Sequence, residues 1–177
     1  AFQILSTNNK ILLNDKNLFR IRILKKNLER LKFSSKIVNE DFTKFTNSEK
    51  FDLIILDAPC TAVGTIRKNP EIFFKSKAPD FDYLSSIQEK MLNKASLLLN
   101  KNGLILYMVC SFLDYETKDQ VDKFLNKNSN FKLDNFKLIH NSKYAELVKN
   151  ELMITLPDKI LEKNIDGYFA AYLKKIR

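Results

Sequence analysis

Residues 51–59 read FDLIILDAP, and this stretch decides the fold. Its near-continuous apolar run suits a buried central strand of a parallel sheet. Asp57 closes the run, and Pro59, with its fixed φ and no N–H, takes the chain abruptly out of the sheet. Upstream lie two shorter runs that also end in an acid, KILLND (Lys10 to Asp15) and KIVNED (Lys36 to Asp41). Between them Leu18, Ile21, Leu24, Leu28 and Leu31 fall near one face at helical spacing. Downstream, Leu84 to Leu99 reads as a helix, stopped near Gly103, and GLILYMVCS (Gly103 to Ser111) as a fourth buried strand. Asp114 is expected to cap a helix to about Asn126, with Glu116 and Thr117 in its first turn. Two more strands are predicted in Glu151 to Pro157 and Tyr168 to Ile176. Strands alternating with helices predict an α/β domain with a mostly parallel sheet.

In such sheets ligands bind at the carboxyl ends of the strands. Those ends carry Asp15, Asp41, Asp57 and Cys110. At Asp15 a carboxylate can accept from both hydroxyls of a ribose. A helix cap is the simpler reading of that residue alone, since Asp caps well. Asp41 faces the same choice, with Thr43 as a competing cap and the adenine of a nucleotide as its ligand. Asp57 at the end of a buried strand costs stability unless something uses it, as a ligand does or as loop amides do. Cys110 by itself reads as a small core residue. Its functional reading gains weight because Cys60 also falls at a strand end.

The segment Cys60 to Tyr83 is polar, basic and rich in turn formers, and is long enough to predict a functional loop. Within it Arg67, Lys68 and Asn69 follow Gly64 and are candidates for phosphate contact, against the plainer reading of a solvated basic loop. His140 lies in a polar tail segment and is assigned no role.

The 177 residues fit one domain. No apolar run approaches the ~20 residues that span a bilayer, and AFQILSTNNK at the start has no secretory signal pattern. Two cysteines and one histidine cannot supply a four-ligand zinc site, and reduced cytosolic thiols are the simpler inference, so no metal is expected and the expected compartment is the cytoplasm. Thirty Lys and Arg against 21 Asp and Glu leave a formal charge of +9. That balance suits a polyanionic partner, or equally a Lys-rich solvated surface.

LDAPCTAVGTIRKNPEI (Leu56 to Ile72) resembles a signature whose usual form is DAPCSGTGT followed by R-R-x-P, and GLILYMVCSF (Gly103 to Phe112) is similar to a second one ending in T-C-S. NDKNLFRIRILKKNLERLKF (Asn14 to Phe33) and DGYFAAYLKK (Asp166 to Lys175) are similar to two further motifs, in order and at compatible spacing. Together they resemble the RNA cytosine-C5 methyltransferases of the Nol1/Nop2/Sun family, whose bacterial members include enzymes of ribosomal RNA. The resemblance implies a Rossmann-like S-adenosylmethionine-dependent methyltransferase fold with helices on both faces of the sheet. It implies S-adenosyl-L-methionine as cofactor and RNA, with a single-stranded or flipped cytosine, as substrate. No membrane partner is expected, and the chain is expected to be a monomer.

Carried over by motif, Cys110 is the nucleophile, Cys60 assists product release and Asp57 touches the cytosine ring. Asp15 and Asp41 match the acids that hold the ribose and adenine of the cofactor, with Arg20 a further cofactor-site residue. Such chemistry needs a group that attacks C6 to activate C5 and then leaves, and cysteine does both. Nearby cations such as Arg67 or Lys68 are expected to raise the thiolate fraction. The chain departs from the family pattern at Val109, where a Thr is usual, and at Thr61-Ala62-Val63, where S-G-T or S-A-T is usual. The family's glycine-rich cofactor loop would fall immediately before Ala1. Residues 1–177 are therefore expected to be a single catalytic domain without its first strand and that loop. A catalytically impaired RNA-binding remnant is the alternative. A methyltransferase of exocyclic amines, which commonly carries N/D-P-P-Y in place of DAPC, and a nicotinamide dehydrogenase fit less well.

Overall fold

The computed structural model describes residues 9–74, 76–136, 145–160 and 163–176, and His140 lies outside them. The chain divides into two compact units, Ala1–Thr46 and Asn47–Arg177.

In the first unit β1 (Leu12–Asn14) pairs in parallel with β2 (Lys36–Val38), Leu13 opposite Ile37. The helix α1 (Leu18–Arg30) joins them. Its apolar spacing works as expected at Ile21 and Leu28, which are buried, while Leu18 at the first turn is exposed. Asn17 caps the helix, its side-chain oxygen accepting from the N–H groups of Phe19 and Arg20. The cap reading of Asp15 therefore fails, because Asn17 stands two residues nearer the helix and takes that role.

The second unit contains β3 (Phe51–Asp57), α2 (Phe81–Leu98), β4 (Leu99–Val109), α3 (Lys118–Lys127), β5 (Phe131–Asp134), β6 (Val148–Lys149), β7 (Leu152–Thr155), β8 (Lys159–Ile160), β9 (Lys163–Asn164) and β10 (Tyr168–Lys175). Six of these strands make one sheet in the order β3-β4-β10-β7-β6, with β5 also on β10. The expected parallel pairing holds between β3 and β4, where Ile54 faces Ile105 and Leu56 faces Tyr107. On the far side the sheet is antiparallel, because β10 runs back between β4 and the β7 and β5 strands. The α/β class stands, with a mixed sheet in this unit.

The core sits on β4 and β10. Ile105, Tyr107 and Val109 are fully buried at every second position of β4, as are Phe169, Ala171 and Leu173 on β10. Each such large side chain contributes roughly 1.5–3 kcal/mol by leaving water. Leu92 and Ala95 of α2 and Val121 and Phe124 of α3 are buried too. The strand that opened the sequence reading is less enclosed than its composition suggests. Ile54 and Leu56 are buried, but Leu53 and Ile55 point out and are exposed, and β3 is an edge of the described sheet. Its run looks continuous because its outward positions are apolar as well. Two helix boundaries also moved. The helix α2 begins at Phe81, inside the segment expected to be loop, with Asp80 accepting from the Tyr83 N–H as its cap. Asp114 opens a short 3-10 turn rather than the helix, and Thr117 precedes α3.

Candidate active site

The first part of the site is built where β3 and β4 end side by side. Asp57 is the last residue of β3 and is exposed, and the next N–H, of Ala58, donates to the Met108 carbonyl at 3.0 Å. Pro59 then turns the chain so that Cys60 returns over the end of β4, where Cys110 follows Val109. The two sulfur atoms lie 3.4 Å apart. Both cysteines are half-buried and free.

At that separation one thiol donates its proton to the other. The donated bond from Cys60 is the main reason the Cys110 thiol is lowered from 9.0 to about 7; burial and the Asp57 charge oppose it. The same bond, together with burial, pushes the Cys60 thiol far up. One sulfur of the pair is thus poised as a thiolate near neutral pH while the other keeps its proton. The cations expected to do this are engaged elsewhere. Arg67 and Lys68 pair with the buried Asp166, at 3.2 and 2.6 Å. Lys68 foremost, with Arg67, holds the Asp166 carboxyl below its usual value. Asn69 donates from its side-chain amide to the Thr65 hydroxyl, at 3.0 Å.

The loop carrying these residues is pinned by backbone contacts. The Gly64 N–H donates to the Cys110 carbonyl at 3.0 Å, and the Gly167 N–H donates to the Gly64 carbonyl at 2.7 Å. A side chain at Gly64 would collide with the Gly167 carbonyl, so the close approach requires glycine. Ala62, two residues earlier, takes a left-handed φ of 61°. The Thr155 hydroxyl, which donates to the Asp166 carbonyl at 2.9 Å and accepts from the Tyr168 N–H at 2.8 Å, fixes the start of β10 over this loop. Partial burial, with the charges of Cys110 and Asp166, pushes the Tyr168 phenol up.

Sequence reasoning missed the polar network beneath the thiols. Glu116 and Gln88 are completely buried, as is Ser111, and Thr61 nearly so. The Glu116 carboxylate accepts from the Thr61 N–H at 2.8 Å and from the Thr61 hydroxyl at 2.6 Å. The signal available was an acid six residues after Cys110, which reads equally well as a charge favouring a helix start.

The remaining predicted residues belong to the first unit. Asp15 follows β1 directly, its carboxylate accepting from the Asn17 N–H at 2.8 Å, with the Arg20 guanidinium 3.7 Å away. Asp41 lies three residues beyond β2 and accepts from both the N–H and the hydroxyl of Thr43, at 2.9 and 2.8 Å. Those bonds hold its carboxyl below the usual value. The two acids follow neighbouring parallel strands, at the carboxyl ends where ligands collect in α/β sheets. Among the described residues no cluster of three or more His, Cys, Asp or Glu is arranged for a metal ion, and no helix is long and apolar enough to cross a membrane.

Known proteins share this architecture. The family model described as 16S rRNA methyltransferase RsmB/F matches residues 2–174. The ribosomal RNA small subunit methyltransferase B of Shewanella oneidensis is 34% identical over 128 residues, 71% of this chain and 30% of that protein. The chain thus spans under a third of that relative's length. The crystal structure of NSun6 from Pyrococcus horikoshii with SFG superposes with a TM-score of 0.80 at 26% identity, over 99% of this chain and 44% of that one. A methyltransferase homolog from the same organism, at 23% identity, covers 93% of this chain and 53% of its own with a TM-score of 0.72, so the fold is the Rossmann-like fold of methyltransferases. With motifs, fold and family match in agreement, this chain belongs to the 16S rRNA methyltransferase RsmB/F family.

Proposed function

We propose that the chain is the catalytic part of a cytoplasmic, monomeric S-adenosylmethionine-dependent methyltransferase that modifies C5 of a cytosine in ribosomal RNA through a covalent bond from Cys110 to C6. The observation that carries this reading is the thiol pair: two free sulfurs 3.4 Å apart at adjacent strand ends, with Cys110 lowered to about 7. Membership of a family described as rRNA methyltransferases supports the substrate class.

Cytosine C5 is a poor nucleophile until something adds to C6. The Cys110 thiolate forms the sulfur–carbon bond at C6, and the electron pair of the C5–C6 double bond moves to make C5 an enamine carbon. Asp57, exposed at the end of β3, would meet the ring edge and share a proton with N3, and that proton is what draws charge from the ring. S-adenosylmethionine supplies an electrophilic methyl group, and Asp15, Asp41 and Arg20 would hold its nucleoside. After methylation a base takes the C5 proton, the pair re-forms the double bond, and the Cys110–C6 bond breaks. Cys60, 3.4 Å away, would donate its S–H to the departing Cys110 thiolate, stabilising it as a leaving group and so aiding release of the product. The target base must leave its stack for C6 to be reached. Arg67 and Lys68, which keep exposed sides while paired with Asp166, and Asn69 beside them would contact the flanking phosphates.

In an enzyme extended to the full length of its relatives, Cys110→Ala is expected to abolish methyl transfer from labelled cofactor. Cys60→Ala is expected to leave RNA attached through Cys110, seen as a slower protein band on a denaturing gel. Activity surviving in Cys110→Ala would overturn the assignment, and an absent band with Cys60→Ala would overturn the division of labour between the thiols.

A further inference from the structure

We propose that Glu116, acting with Gln88, is a positioning residue that clamps the two sides of Cys60 so that its S–H is held on Cys110. The inference rests on the roles proposed above for the two thiols. Three observations carry it. First, the Glu116 carboxylate binds the residue after Cys60 twice, through the backbone N–H and the hydroxyl of Thr61, at 2.8 and 2.6 Å. Second, the Gln88 side-chain amide donates to the carbonyl of Pro59, the residue before Cys60, at 2.9 Å, and reaches Glu116 at 3.4 Å. Third, the clamp is itself anchored to β4, because the Tyr107 hydroxyl donates to the Glu116 carbonyl at 2.7 Å. Ser111, next to Cys110, lies 3.4 Å from the Thr61 hydroxyl and ties the second cysteine to the same network.

A carboxylate is costly to bury, and an acid in that short turn would be at home on the surface. Here it is fully enclosed and directed at the peptide that carries a reactive thiol. At Cys60 its charge works in the same sense as its geometry, keeping the proton on that sulfur; at Cys110 the charge opposes the thiolate, but more weakly than the bond from Cys60 favours it. The titratable groups that act on or respond to the pair are Asp57 on β3, Tyr107 on β4, Tyr168 on β10 and Glu116 itself. Both carboxylates among them disfavour negative charge at Cys110, and Glu116 disfavours it at Cys60 as well. A second thiolate is thereby discouraged, so Cys60 stays the donor.

The test uses the chain without RNA or cofactor, so it stands or falls separately from methyl transfer. Iodoacetamide labelling of the Cys110 peptide, followed by mass spectrometry across pH, is expected to show a midpoint near 7 in the wild type. Glu116→Ala releases Cys60, and the midpoint should rise by about one pH unit, roughly a tenfold loss of thiolate below it. In a Cys60→Ala background the midpoint starts high, and adding Glu116→Ala should then move it by less than about 0.3 unit. A merely structural role predicts the same shift in both backgrounds. Should Glu116→Ala fail to fold, Thr61→Val and Gln88→Leu cut the clamp at its other ends and should raise the midpoint likewise. An unmoved midpoint in Glu116→Ala, or in that case in Thr61→Val and Gln88→Leu, overturns the proposal, as do equal shifts with and without Cys60.

Discussion

At the scale of single residues, the chain shows what an alanine costs where the backbone turns left-handed. Ala62 stands where the resembled signature has glycine or alanine, and its φ of 61° lies in the region that a Cβ disfavours. Replacing it by glycine removes that strain at the expense of a more flexible unfolded chain. Ala62→Gly is therefore expected to stabilise the protein by about 1 kcal/mol, read as a higher urea midpoint with an unchanged slope. A lower midpoint would mean that the alanine methyl group packs better than it strains. Residue positions were the most legible part of the site. Asp57, Cys60 and Cys110 could be placed because apolar runs end at or beside them and ligands collect at strand ends. Their chemistry was not legible. That Cys60, and no cation, lowers Cys110 depends on a sulfur–sulfur distance across fifty positions of sequence. The pairing of Arg67 and Lys68 with Asp166 spans about a hundred.

At the scale of elements, the loop after β3 and the turn into β10 behave as one piece. Gly64 passes Gly167 so closely that a methyl group on it has no room, and the same glycine donates to the Cys110 carbonyl. Gly64→Ala should cost about 3 kcal/mol of unfolding free energy, the upper end for forcing atoms into a packed site. It should also slow alkylation of Cys110, since the loop that presents Cys60 must shift. Normal stability in a urea titration of Gly64→Ala would show that the contact is slack. Hydrophobic spacing disclosed most elements here but not their junctions. The helix α2 runs directly into β4 at Leu99 with no loop between them, which no Gly or Pro announces. The antiparallel place of β10 was hidden for a different reason: an apolar run of six residues, Tyr168 to Leu173, states that a strand is buried and says nothing of its direction.

At the scale of the whole molecule, the excess of positive charge becomes a measurable property. A net +9 suits phosphate contacts, and if about four are made, affinity for single-stranded RNA should fall roughly fifty-fold between 50 and 200 mM salt. Filter binding across that range checks it, and a flat response would leave the charge as a solvated surface. The α/β class and the family were both legible, because four motifs kept their order along nearly the whole chain. The sheet was legible only in its parallel part. One feature of that sheet bears on the life of the chain before it is finished. The strand β10, with Asp166 and Gly167 ahead of it, lies against β4 and holds down the loop between the thiols. A ribosome makes this stretch more than fifty residues after Cys110. Every reactive group has emerged by then, yet the brace that aligns them has not been translated. The two thiols are therefore expected to reach their 3.4 Å separation only once that late strand docks.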